Sequence, residues 1–196
     1  MDRKRDFQRE TSETQIRGSL NVDGRGEAEI STGLGFFDHM LMACARHGMM
    51  DLELTVTGDL HVDAHHTVED TGLALGAALA DCLGDKAGVR RFGTAFVPMD
   101  DALLRASLDL SGRAYLAYRV PIAASEAGGI PVLLFREFFR AFAGAARLTL
   151  HLDRLAGDEP HHLLEAAFKA FGRALDEATR LTPGIEGALS TKGTLG

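Results

Sequence analysis

The sequence contains no tryptophan, only two tyrosines, two cysteines and five prolines among 196 residues. So few flat polar aromatics leave no platform on which nucleic-acid bases could stack. A formal net charge of −7 supplies no basic face of the kind that general nucleic-acid binding needs, so no nucleic-acid partner is expected. No apolar run approaches the ~20 residues that cross a bilayer, so no membrane partner is expected either. The two cysteines, Cys44 and Cys82, fall in apolar, helix-like stretches. They read as reduced core residues, too few for a disulfide framework or a cysteine-based zinc site. The opening residues, Met1-Asp2-Arg3-Lys4-Arg5-Asp6, are charged where a secretory signal has its apolar segment. A cytoplasmic location is therefore expected.

What is present is a pattern used twice. Hydrophobic residues make up 45% of the chain, enough for a substantial core. Ile16 to Val22 alternates as a strand, and Asp23-Gly24 marks a turn that predicts Gly26 to Ser31 as a hairpin partner. A helix is predicted near Phe36–Cys44, a half-buried strand over Asp51–Gly58, and an apolar helix from His65 to Leu83 with Gly84 as its stop. The order then returns. Strands are predicted at Thr94–Val97, Leu103–Leu110 and Ala114–Val120, a helix at Phe135–Phe142, a strand at Leu148–Leu152, and a helix from His161 to about Arg180. Nearly equal spacings separate His39 from His65 and Glu137 from His161, which supports an internal duplication. The expected fold is α+β, each half an antiparallel four-stranded sheet with two helices on one face. The halves are residues 1–92 and 93–196, packed as one domain. The small, Gly-rich link Ala123–Pro131 is expected to be mobile.

Each half carries His-His-x-x-Glu at the start of a helix: His65-His66 with Glu69, and His161-His162 with Glu165. Imidazole and carboxylate together are common ligands of first-row transition ions. Positions i and i+4 share a helix face, so His65 points with Glu69 and His161 with Glu165. His66 and His162 lie ~100° further round, which suits two ions better than one. A lone histidine on a helix is usually structural; two copies at matched places in a repeat argue for metal. His39, on the earlier helix, is the natural extra ligand in the first half, and Glu137 is its counterpart in the second. His47 and His151 read as structural, and His61 as a candidate support for a ligand.

An acidic chain that binds an anion must do so with a few local cations. Arg90-Arg91, the turn Ser111-Gly112-Arg113 and the hydroxyl-rich end Ser190-Thr191-Lys192-Gly193-Thr194 are the candidates. Guanidinium forks and ammonium groups both suit phosphate.

Taken together these segments closely resemble the imidazoleglycerol-phosphate dehydratases. The resemblance runs from Arg9-Glu10-Thr11-Ser12-Glu13-Thr14 to the Ser-Thr-Lys-Gly-Thr end. It includes Gly35-Phe36-Phe37-Asp38-His39-Met40, Asp63 to Thr71, Ser107 to Arg113 and the second His-His helix. It implies a lyase of histidine biosynthesis that converts D-erythro-imidazole glycerol phosphate to imidazole acetol phosphate and water, through a metal-stabilised imidazolate. It implies two Mn2+ per active site and a 24-subunit homo-oligomer whose sites lie between chains. By the same resemblance one ion takes His39, His66, His161 and Glu165, and the other takes His65, Glu69, His162 and one more group. Many relatives have histidine where this chain has Glu137, and a carboxylate there is expected to serve as that last ligand. Glu13 matches the family's substrate-contacting acid/base glutamate, with Glu165 a further catalytic candidate. Arg91, Arg113, Ser190 and Lys192 match its phosphate-binding residues. Two other readings share these residues: a di-metal hydrolase, and a non-catalytic metal-storage shell that leaves Glu13 and the cationic tail without a task.

Overall fold

The computed structural model describes residues 3–195. The first half runs β1 (Lys4–Glu10), β2 (Thr14–Asn21), β3 (Ala28–Ser31), α1 (Gly35–His47), β4 (Asp51–Gly58) and α2 (His65–Leu83). The second runs β5 (Phe92–Met99), β6 (Ala102–Asp109), β7 (Tyr115–Arg119), a short β8 (Glu126–Ala127) and β9 (Ile130–Pro131), α3 (Leu133–Ala146), β10 (Thr149–Ala156) and α4 (Pro160–Thr179). The two four-stranded sheets have orders β1-β2-β4-β3 and β5-β6-β10-β7, one topology built twice. Each sheet presents one face to its own pair of helices, and the helices meet between the sheets, α2 against α3 and α1 against α4. The duplicated α+β architecture is thus the one the repeat predicts.

Two local expectations are corrected. β3 is not the hairpin partner of β2. It pairs parallel with β4, which lies between them, and β7 likewise pairs parallel with β10, so each sheet is antiparallel apart from its last strand. The cause is apolar content. Leu52, Leu54 and Val56 give β4 a fully buried face, whereas β3 offers only the partly buried Ala28 and Ile30, alternating with exposed Glu29 and Ser31, and is left at the edge. Asp51 fixes the detour by accepting the N–H groups of Arg25 (2.7 Å) and Glu27 (3.1 Å). The link 123–131 is a formed hairpin: β8 pairs with β9 around Gly128 and Gly129, both at positive φ, and Ala127 and Ile130 are buried.

The centre of the helical layer is a phenylalanine cluster. Phe37, Phe135, Phe138, Phe139, Phe168 and Phe171 are at most 1% exposed. Edge-on and tilted ring pairs, such as Phe139–Phe168 at 4.8 Å and Phe142–Phe171 at 5.1 Å, tie α3 to α4. The paired helices approach closely because glycine occurs at the same place after each motif, Gly76 in α2 and Gly172 in α4. A Cβ at Gly76 would lie 2.5 Å from the Phe142 carbonyl oxygen, and one at Gly172 would lie 2.3 Å from that of Cys44. Cys44 and Cys82 are buried thiols in no disulfide among the described residues, and burial pushes the Cys44 thiol up to about 12. Among the described residues no helix is long and apolar enough to cross a membrane.

Candidate active site at the helix ends

Both His-His-x-x-Glu segments open their helices, α2 at His65 and α4 just after Pro160. The shared-face geometry holds in each. His65 Nε2 lies 3.1 Å from Glu69 Oε2, and His161 Nε2 lies 3.0 Å from Glu165 Oε2. The extra groups, however, are exchanged between halves. Because α1 packs on α4, His39 joins the second motif, with its Nε2 3.1 Å from Glu165 Oε2. His39 is therefore not the extra member of the first-half cluster. Because α3 packs on α2, Glu137 joins the first motif: Arg140 donates to Glu69 Oε1 (2.6 Å) and to Glu137 Oε2 (2.6 Å), holding the two carboxylates side by side.

Potential ligand atoms of His39, His161 and Glu165 all lie within 4.8 Å of one another. The two imidazole nitrogens each stand about 3 Å from one carboxylate oxygen. That is the spacing of adjacent donors each ~2.1 Å from a common ion. The trio thus fits a first-row transition ion. Burial alone would raise the Glu165 carboxyl, but the Lys169 ammonium, His39 and His161 overcome it and bring it down to about 2. It is ionised and ready to coordinate. Glu137 is likewise held below the usual carboxylate range, its partial burial outweighed by Arg140 and Arg136.

His66 and His162 turn away from these clusters, as their place on the helix requires. His66 Nδ1 meets Asp59 at 3.0 Å and His162 Nδ1 meets Asp101 at 2.7 Å. Both imidazoles have raised pKa values, chiefly from those hydrogen bonds, with Glu13 and Asp63 adding to the first and Glu159 and Asp100 to the second. The local field at both rings favours positive charge.

Glu13 sits in the β1–β2 turn, where Thr14 N donates to Thr11 Oγ1 (3.0 Å) and Thr14 Oγ1 donates to Asp70 (2.5 Å) on α2. The turn is thereby fixed to the motif helix, and an oxygen of Glu13 lies 3.7 Å from His66 Nε2. Glu13 is half exposed and free to meet a ligand.

The four anion candidates gather by the far end of α4. Arg91, Arg113, Ser190 and Lys192 line one cleft of about 930 Å³. The tail that forms its wall is pinned by backbone bridges Ala87–Ala188 and Val89–Leu181, and Arg91 donates to the Leu189 carbonyl (2.7 Å). Arg91 also grips Asp109 through two N–H groups (2.7 and 3.1 Å), so it shapes the cleft, while Arg113 and Lys192 are the exposed cations. The Arg91 N–H bonds the carbonyl of Ala178 near the end of α4, whereas Glu165 is in that helix's second turn. Thirteen residues of helix at 1.5 Å each separate cleft and cluster by ~20 Å.

His47 and His151 have structural contacts, with the Ala43 carbonyl and the Tyr115 ring respectively, and His61 is exposed in the turn before α2. Four site neighbours are missing from the sequence reading: Asp59, Asp101, Arg140 and Lys169. Lys169 and Arg140 left local signs, as the i+4 partner of Glu165 and the i+3 partner of Glu137 on their helix faces.

The fold and its side-chain groups define a class: duplicated α+β proteins with histidine–carboxylate clusters on twin helices and a separate cationic cleft. Comparison with known proteins narrows this. A family model for imidazoleglycerol-phosphate dehydratase matches residues 32–175. The chain is 53% identical to the imidazoleglycerol-phosphate dehydratase of Acetivibrio thermocellus over 195 residues, covering 100% of each chain. It is 55% identical to that of Gluconacetobacter diazotrophicus over 188 residues, covering 95% of each. Among solved structures, the Staphylococcus aureus enzyme superposes with a TM-score of 0.82 at 37% identity, covering 91% of this chain and 100% of that one. The Pyrococcus furiosus enzyme, solved in complex with (S)-C348, gives 0.84 at 39%, covering 96% and 100%. The chain belongs to the imidazoleglycerol-phosphate dehydratase family, hydro-lyases of histidine biosynthesis.

Proposed function

We propose that this chain dehydrates D-erythro-imidazole glycerol phosphate to imidazole acetol phosphate at sites assembled from neighbouring copies, each site holding two Mn2+, within a cytoplasmic 24-subunit particle. One observation carries the shared site. The cationic cleft and the His39–His161–Glu165 cluster of one chain are ~20 Å apart along α4, further than a three-carbon phosphate ester bearing one five-membered ring can reach. A cleft from one copy must therefore face a cluster from another. The outward direction of His66 and His162, away from their own chain's clusters, supports the same arrangement.

In this reading His39, His161 and Glu165 hold one ion together with a neighbour's His66. His65, Glu69 and Glu137 hold the other with a neighbour's His162. Bound there, the ions would supply Lewis acidity to the substrate's ring nitrogens and favour the imidazolate form. The chain's own groups do the rest. Arg113, Lys192 and Ser190 bind the phosphate by charge and hydrogen bonds, and Arg91 buttresses them through Asp109. The hydrogen lost lies on a carbon with no adjacent carbonyl, so a positioned base is needed. Glu13, exposed beside His66, moves that proton, a contribution of roughly 10²–10⁴ in rate. Loss of hydroxyl from the carbon beside the ring leaves an enol that becomes the ketone.

The test is turnover of the Mn2+-loaded particle and its Glu13→Gln variant, scored for ketone and for free phosphate. Ketone formation without phosphate release, lost in the variant, is the expected result. Near-wild-type turnover by Glu13→Gln would remove Glu13 from the mechanism, and phosphate release would make the enzyme a hydrolase.

A further inference from the structure

His66 and His162 share a feature that the duplication does not explain. Each ring has its Nδ1 edge taken by a carboxylate. For His66 the distances to the two oxygens of Asp59 are 3.0 and 3.2 Å, and for His162 the distance to Asp101 Oδ1 is 2.7 Å. An ionised carboxylate only accepts, so in both rings Nδ1 carries the proton. In the neutral ring the lone pair is then on Nε2. Each Nε2 faces an exposed carboxylate that it cannot bond in that tautomer: Glu13 at 3.7 Å from His66 and Asp100 at 3.4 Å from His162. The geometry leaves a donor nitrogen and a nearby anion, both open to the outside.

The two carboxylates occupy non-equivalent places in the repeat. Asp59 follows β4, the third of the four strands across its sheet, whereas Asp101 lies in the β5–β6 turn. Duplication of one half would not have produced both. The same ring orientation has been built by two different loops.

From this we infer that Asp59 and Asp101 are positioning residues, which lock His66 and His162 with Nε2 directed outward as metal donors to a neighbouring copy. The inference rests on the proposed metal sites shared between chains. A histidine whose far nitrogen is bonded to a carboxylate is a better-oriented and more basic ligand. Among the described residues the Asp59 side chain bonds nothing but His66. Asp101 has a second task, because its other oxygen accepts the N–H groups of Asp158 (2.7 Å) and Glu159 (3.2 Å) that lead into α4. Asp59 is therefore the clean probe.

The experiment measures Mn2+ affinity of the metal-stripped, full-length protein by chelator competition, for wild type, Asp59→Ala, Asp59→Asn and His66→Ala, with thermal unfolding of each. Asp59→Ala is expected to weaken one class of site about 10–100-fold with unchanged unfolding. Asp59→Asn, whose amide oxygen still accepts from Nδ1, should recover part of that loss, which a merely structural role would not predict. Wild-type affinity in Asp59→Ala beside weakened binding in His66→Ala overturns the positioning role and leaves the shared sites standing. Wild-type affinity in His66→Ala as well overturns both.

Discussion

The two halves carry one motif in two different electrostatic settings. In α4, Glu165 is 9% exposed and gathers His39, His161 and Lys169. In α2, Glu69 is 27% exposed, meets only His65 among imidazoles, and shares the Arg140 guanidinium with Glu137. The first arrangement is two imidazoles around one carboxylate. The second is one imidazole beside two carboxylates already bridged by a cation. The duplication sets the frame, and the exchange of His39 for Glu137, with Lys169 in one cluster and Arg140 in the other, sets the charge balance. In each cluster a cation holds one oxygen of the motif glutamate, Arg140 on Glu69 Oε1 and Lys169 on Glu165 Oε1, but Arg140 also holds Glu137, whereas His39 and His161 both stand about 3 Å from the other oxygen of Glu165.

The sharpest way to break that contrast is to delete each carboxylate in turn. Glu165→Ala should lower kcat/KM by roughly 10³-fold, the scale of a lost Lewis-acid site. Glu69→Ala should cost distinctly less, because Glu137 remains beside it. Steady-state rates of ketone formation decide this, and equal losses would abolish the asymmetry. A finer change is Glu137→His, which gives the first-half cluster the imidazole that His39 gives the other. The affinity of the weaker site for Ni2+ relative to Mn2+ should rise about tenfold, because imidazole suits nickel whereas carboxylate suits manganese. Two-site titration is the measurement, and an unaltered isotherm would assign the difference to Arg140 instead. The smallest effect tests where the halves agree. Gly76→Ala and Gly172→Ala should each destabilise by about 1–3 kcal/mol in urea, since each methyl meets a backbone oxygen of the partner helix. A large cost at only one position would extend the asymmetry into the packing.

Much of this was legible in the chain. The helices were, because His65–Leu83 and His161 onward pair a polar opening motif with long apolar faces. The duplication was, because element order and motif spacing repeat. The anion residues were, as types, although nothing local says that Arg91, Arg113, Ser190 and Lys192 share a cleft. What escaped were features set by long-range pairing. β1 is charged or polar at every position but Phe7, so it has no strand signature before its partner is known. β3 looked like a hairpin arm until β4 claimed the centre of the sheet. Arg140 and Asp101 reach the site from other elements, across 71 and 61 residues of sequence respectively.

The separation of the cleft from the Glu165 cluster along α4 has a consequence for how such a protein tolerates change. If catalysis occurs only where one copy's tail meets another's helix ends, the reacting unit is a relation between molecules and no single chain contains it. Residues far from any chemical group, buried in contacts between copies, then come under the same constraint as Glu13. A shift of ~1 Å between subunits can cost ~10²-fold in rate, so a conservative change at such a contact would look, in a rate measurement, like the loss of a catalytic side chain.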